Sequence, residues 1–178
     1  MIHLYVGDGK GKTTAAVGLA VRAAGSGKRV VFVQFLKGSE TGEVSSLAAL
    51  GIPVIRMKQN LGFVWTMDDA EKEQCRAAQA RLLEEARAAA PFESDATGSA
   101  SPAGVIVLDE ALDAVGVGML EEDALRAFAE KQPAGTELVV TGRIAPGWLM
   151  EKADYITEML KVKHPYDRGV MARTGIEF

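Results

Sequence analysis

The chain has 178 residues, 48% of them apolar and 25% charged, and a net charge of −4. This length fits one packed α/β domain, no apolar run is long enough to span a membrane, and the net charge gives no general attraction to nucleic acid. One cysteine, Cys75, and two histidines, His3 and His164, provide neither an internal disulfide nor a ligand set for structural zinc. The sequence starts almost at once on a strand and a glycine loop, leaving no room for a signal peptide, so the expected address is the cytoplasm.

Ile2 to Val6 is a short apolar run that predicts a buried parallel strand. It leads into Gly7-Asp8-Gly9-Lys10-Gly11-Lys12-Thr13-Thr14. The glycines allow a tight turn with its N–H groups aimed inward, Lys12 adds a point charge, and the Thr13 hydroxyl is suited to ligate magnesium. The stretch reads as a phosphate cradle. Its spacing departs from G-x-x-x-x-G-K-[ST]: three residues separate Gly7 from Gly11, and Val6 stands where the first glycine usually does. Thr13 to Ala24 is alanine-rich and closed by Gly25-Ser26-Gly27, which predicts a helix whose N-terminus faces the phosphates.

Arg29 to Phe35 predicts a second buried strand. Lys37 follows it, at the carboxyl edge where open α/β sheets bind ligands. It is a candidate phosphate or carboxylate contact, against the commoner fate of a solvated loop lysine. Gly42 to Leu50 predicts a short helix, and Ile52 to Met57 a third strand with its proline at the start. Lys58 to Met67 has neither helical nor strand period but carries Phe63 and Trp65. Large aromatics there either pin the loop to the core, which composition favours, or wall a pocket for a bulky ligand. Asp68 to Ala90 predicts the longest helix, with acids in its first turn and Cys75 within it.

Residues 91–104, dense in Ser, Ala, Gly and Pro, predict a mobile surface loop within the one domain. Val105 to Leu108 is an apolar strand ending in Asp109-Glu110, a position at which phosphate-loop proteins hold magnesium. Glu121 to Lys131 predicts a helix. Glu137 to Thr141 predicts a strand ending in Gly142-Arg143, where Arg143 is a candidate ligand contact against an ordinary surface ion pair. A short helix from Ala145 to Lys152 with Pro146 near its first position and an edge strand at Tyr155 to Met159 complete the expected core. The ending KVKHPYDRGVMARTGIEF is not expected to be helical, and His164 has no partner acid or nucleophile at a catalytic spacing.

The loop GDGKGKTTAA, the segments VQFLKG, GFVW, VIVLDE and LVVTGR, and the ending VKHPYDRGVMARTGIEF, in this order, resemble the ATP:cob(I)alamin (corrinoid) adenosyltransferases of the phosphate-loop type. The likeness covers Ile2 to Phe178. It implies a single-domain P-loop nucleoside triphosphate hydrolase-like α/β fold, with a mostly parallel sheet flanked by helices. It further implies a homodimer that transfers the 5′-deoxyadenosyl group of ATP to reduced cobalt and releases triphosphate. Carried onto this sequence, Gly7, Asp8, Gly9, Lys10, Gly11, Lys12, Thr13 and Thr14 bind the triphosphate, together with Lys37 and Arg143. Thr13 with Asp109 or Glu110 holds Mg²⁺. Phe63 and Trp65 lie against the corrinoid and help remove its lower axial ligand, the reverse of the pinning that composition favours. A flavoprotein reductase is the implied source of reduced cobalt.

Two departures stand out. Relatives of this kind carry an N-terminal extension over the site, whereas this sequence starts at the first strand; and their GFTWE places an acid where Thr66 stands here, with Asp68 and Asp69 nearby. In the family it resembles, the short loop accompanies a nucleotide laid in the opposite sense, which implies C5′ exposed to attack. Co(I) is itself a strong nucleophile, so the protein need supply neither nucleophile nor general base. The rival readings are a phosphate-loop kinase or ATPase acting at the γ-phosphate, for which an acceptor base and an arginine-rich lid are missing, and a non-catalytic nucleotide-binding module.

Overall fold

A computed structural model describes residues 1–39, 41–59, 62–89 and 104–177. Six strands form one all-parallel sheet: β1 (Ile2–Val6), β2 (Val30–Gln34), β3 (Val54–Arg56), β4 (Val105–Asp109), β5 (Glu137–Thr141) and β6 (Tyr155–Glu158), in the order β3-β2-β4-β5-β1-β6. The helices are α1 (Lys12–Gly25), α2 (Gly42–Ala49), α3 (Asp69–Ala89), α4 (Ala111–Gly116), α5 (Glu122–Glu130) and α6 (Gly147–Lys152). The sheet is all parallel, a sharper result than the mostly parallel one expected. Its continuous apolar strands follow from helices covering both faces.

Period-two alternation divides each central strand between two cores. Leu4, Val31, Val33, Ile106, Leu108, Leu138 and Val140 share a core with Leu82 and Leu83 of α3, Leu112 of α4, Phe128 of α5 and Leu149 of α6. Phe32, Val105, Val107 and Val139 pack instead on Ala16, Ala20 and Ala23 of α1 and Leu47 of α2. The alanines of α1 let that helix lie close against the sheet. β6 is the exposed edge.

Parallel pairing puts every strand's carboxyl end at one edge of the sheet. β1 delivers the glycine loop there, β2 the Lys37 loop, β3 the aromatic segment, β4 the two acids, β5 Arg143, and β6 the Met159 backbone. Several boundaries differ from expectation. The third strand is confined to Val54–Arg56, and Pro53 contributes only its carbonyl, which accepts from the Phe32 N–H at 3.0 Å. Pro146 caps α6 from outside instead of occupying its first turn. The helix directly after the acids, Ala111–Gly116, was not expected, because its six residues are too few to show a period. Within the aperiodic Lys58 to Met67 stretch, Val64–Thr66 forms a single 3₁₀ turn. The ending holds a 3₁₀ turn at Pro165–Arg168 and is otherwise irregular. The mobile loop expected at 91–104 lies outside the described residues except for Gly104.

Candidate active site

The glycine loop is shaped by its neighbour at the end of β6. The Gly9 N–H donates to the Met159 carbonyl at 2.7 Å, and the Gly7 N–H to the Arg143 carbonyl at 3.0 Å. A Cβ on Gly7, where φ is +107°, would come within 2.4 Å of the Met159 oxygen, and one on Gly9 within 2.7 Å. Both positions therefore exclude any side chain. Asp8 reinforces this support by accepting from the Lys161 N–H at 3.0 Å. The short loop is thus braced from behind by the backbone that leaves β6.

Gly11, with φ of +119°, turns the chain into α1 without a side-chain cap. Lys12 occupies the first helical position and bends back over the loop, donating to the Gly7 carbonyl at 2.7 Å and the Gly9 carbonyl at 2.8 Å. Burial lowers its pKa, with the Arg143 charge adding to the effect and Asp113 opposing it. Arg143 itself is exposed, its backbone held between Gly7 and Asp113 Oδ1. Asp8, Lys10 and Thr14 are likewise exposed.

Asp109 is the buried centre of the site. Its Oδ1 accepts from the Thr13 hydroxyl at 2.9 Å and the Thr141 hydroxyl at 2.8 Å, while its Oδ2 accepts from the Lys37 ammonium at 2.9 Å. Glu110 lies 3.2 Å from the same ammonium. Its backbone is left-handed at φ +60°, and its N–H donates to Thr141 Oγ1 at 2.9 Å. A non-glycine residue in that conformation at a ligand edge marks strain held in place by its surroundings. Burial raises the Glu110 pKa; Lys37 opposes the shift without cancelling it. For Lys37, burial acts downward, but Asp109, Glu110 and Glu43 outweigh it and raise the pKa. Lys37 is therefore a fixed ion-pair partner and not a solvated loop lysine.

Thr13, Asp109 and Glu110 converge on a single positive charge. Among the described residues no three His, Cys, Asp or Glu side chains form a metal-holding group. A donor set of two carboxylates and a hydroxyl suits magnesium, which draws its remaining ligands from water and phosphate oxygens.

The aromatic segment is anchored by other residues than its rings. Met57 and Met67, at its two ends, are buried in the core, and Val64 packs against it. Phe63 and Trp65 are 65% and 78% exposed, with ring centroids 4.5 Å apart and planes at 10°. An exposed parallel aromatic pair offers a flat apolar face. Pinning is the methionines' task, contrary to what composition favoured for the rings.

The structure thus brings Thr13, Lys37, Asp109 and Glu110 together, sets Lys12 on the loop, and carries Phe63 and Trp65 from the same sheet edge. His164 only accepts from the Tyr166 N–H within a turn. Thr141, Glu43 and Gln79 were missed. Thr141 had a visible signal, a hydroxyl ending a buried strand. Glu43 accepts from the buried Gln34 amide at 2.8 Å and lies 3.9 Å from Lys37, a placement that only the α2 packing creates. A separate cavity of about 260 Å³, lined by His3, Arg22, Glu137 and Tyr155 among others, lies at the opposite, amino edge of the sheet.

A family model described as ATP:corrinoid adenosyltransferase BtuR/CobO/CobP matches residues 1–178. The corrinoid adenosyltransferase of Pseudomonas aeruginosa is 35% identical over 179 residues, spanning 100% of this chain and 83% of that protein. That of Escherichia coli K12 is 35% identical over 181 residues, spanning 100% and 85%. The corrinoid adenosyltransferase CobA of Salmonella typhimurium is 33% identical over 180 residues, spanning 100% and 85%. A full-length family match, full-length relatives above 30% identity and a glycine loop facing an acid pair across one parallel sheet agree: the chain belongs to the ATP:corrinoid adenosyltransferase family.

Proposed function

We propose that this chain, acting as one domain, transfers the 5′-deoxyadenosyl group of ATP to the Co(I) centre of a corrinoid in adenosylcobalamin biosynthesis or salvage. The observation that carries the reading is the pairing, on one sheet edge, of a phosphate-type loop with an exposed stacked aromatic pair. In the reaction the Co(I) electron pair attacks C5′ and becomes the Co–C bond, while the C5′–O bond breaks and triphosphate leaves with the electron pair of that bond. Cobalt becomes formally Co(III) and no proton moves. This fits a site in which Lys12 is bonded to loop carbonyls and, among the described residues, no general base is paired with a nucleophile.

The chain's tasks are to hold the triphosphate, align C5′ and shield cobalt from water. Residues Gly7 to Thr14 bind the phosphates through loop amides, the uncapped α1 N-terminus and the Lys12 charge. Lys37 and Arg143 add positive charge from neighbouring strand ends. Thr13, Asp109 and Glu110 would hold Mg²⁺ once the Lys37 ammonium moves off the two carboxylates towards phosphate, and the metal would supply charge neutralisation for the leaving triphosphate. Phe63 and Trp65 lie against the corrinoid and favour loss of its lower axial ligand. The exposed apolar side chains Leu160, Val162 and Met171 after the edge strand support a homodimer. Co(I) requires an external electron source, for which a flavoprotein reductase is the candidate. The absence of any membrane-crossing helix among the described residues and the buried free Cys75 fit a cytoplasmic site of action.

Incubation with corrinoid, ATP and Mg²⁺ under anaerobic reducing conditions tests the reading. A Co–C bonded product with one triphosphate per turnover is expected. Release of ADP and phosphate without adenosylated corrinoid would overturn it in favour of γ-phosphate chemistry.

A further inference from the structure

We propose that Gln79 is a positioning residue that couples the Lys37 loop to the aromatic segment, and through them the nucleotide and corrinoid half-sites. The proposal rests on the reading of those half-sites given above. Gln79 is fully buried on the apolar stripe of α3, in line with Cys75, Leu82, Leu83 and Ala86. An amide there is unfavourable unless both its ends are bonded. Both are: Oε1 accepts from the Leu36 N–H at 3.1 Å, and Nε2 donates to Met57 Sδ at 2.9 Å, with Cys75 Sγ farther away at 3.7 Å.

Each end holds a residue that leads into a half-site. Leu36 is left-handed, at φ +58°, a conformation leucine keeps only where its surroundings impose it. The next residue is Lys37, whose ammonium reaches Asp109 and Glu110. Met57 directly follows β3 and anchors the start of the segment that presents Phe63 and Trp65. A methionine or leucine at position 79 would satisfy the packing of α3. What only the amide supplies is a link between the β2 and β3 exits.

The first test is a denaturant-unfolding cycle on the full chain with Gln79→Met, Lys37→Met and the double variant. Expected is non-additivity of at least about threefold in the unfolding constant; a smaller coupling overturns the positioning of Lys37. The second uses Trp148→Phe, which leaves Trp65 as the only indole. Mg-ATP is expected to shift Trp65 emission in this parent and not in its Gln79→Met form at saturating nucleotide. Met57→Leu, which leaves the Leu36 bond intact, is expected to keep the Lys37 coupling and lose the shift. A shift that persists in either variant, or none in the parent, overturns the link between half-sites. A parent that binds no ATP, by calorimetry, or forms no adenosylated corrinoid refutes the reading of the half-sites, and the unfolding cycle then still decides whether Gln79 positions Lys37.

Discussion

The glycine loop and the aromatic segment leave the same edge of one sheet but are held in different ways. Around the loop the charged side chains and the first two glycines are held by partners: Lys12 on two carbonyls, Asp109 on two hydroxyls and an ammonium, and Gly7 and Gly9 pressed against the backbone that follows β6. The aromatic segment is tied down by two methionines and leaves its rings in solvent. A phosphate-binding region gains from fixed dipoles, because preorganised donors need not reorient when charge develops. A face proposed to meet a large apolar ring system needs only to be flat and available. The contrast implies that the buried charged groups on the loop side bear on stability as well as on chemistry, whereas changes to the exposed rings damage chemistry alone.

The largest effect is expected from Lys12→Ala. Removing the charge over the loop should lower kcat by about 10²–10³-fold, with an unchanged circular dichroism spectrum and a smaller effect on corrinoid binding. A loss below tenfold would mean that the loop amides and metal carry the triphosphate without it.

Lys37→Met should come next, and its cost falls on stability as well. It leaves the buried Asp109 carboxylate without its cation, which predicts a loss of about 2–4 kcal/mol in urea unfolding and a raised KM for ATP. An unchanged stability would show that the two hydroxyls suffice for Asp109 and would narrow the difference between the two regions.

Trp65→Ala tests the other side. Its exposure predicts a stability change within about 0.5 kcal/mol and unaltered ATP affinity. The kcat/KM for corrinoid should fall about tenfold, equivalent to ~1.4 kcal/mol of lost ring contact. Equal losses of stability and ATP binding would restore the pinning reading of the rings.

The smallest effect is expected from Glu110→Gln, and it depends on pH. Burial raises the folded-state pKa of Glu110 above its ordinary value of 4.5, so the folded chain holds that proton more tightly than the unfolded chain does. Stability therefore declines as pH rises above about 4.5 through the folded-state pKa. Glutamine removes this penalty. The variant should gain at most about 1 kcal/mol at neutral pH, lose that gain below the ordinary carboxylate range, and transfer adenosyl groups more slowly. Thermal melts at several pH values measure it, and a gain that grew on acidification would contradict the sign.

Much of this architecture was legible in the chain. Five strands announced themselves as short apolar runs bounded by glycine, proline or acids, and the carboxyl ends of those runs pointed to Lys12, Lys37, Asp109, Glu110 and Arg143. The α4 helix was not legible, since six residues do not complete two turns. Gln79 had a faint signal, a lone amide on an otherwise apolar helical stripe, but its partners lie 43 and 22 residues away and no local pattern names them.

The difference is one of range. Sequence alone determined what acts locally: the tight glycine turn, the charge beside it, the apolar periods, and an aromatic pair two residues apart. Only the tertiary structure decided that β6 backs the short loop and forbids a side chain at Gly7 and Gly9, that Lys37 faces Asp109, and that methionines pin the segment while the rings stay free. Those outcomes depend on which strands become neighbours, and that order is set by packing helices on both faces of the sheet, a property of the whole chain and of no single stretch within it.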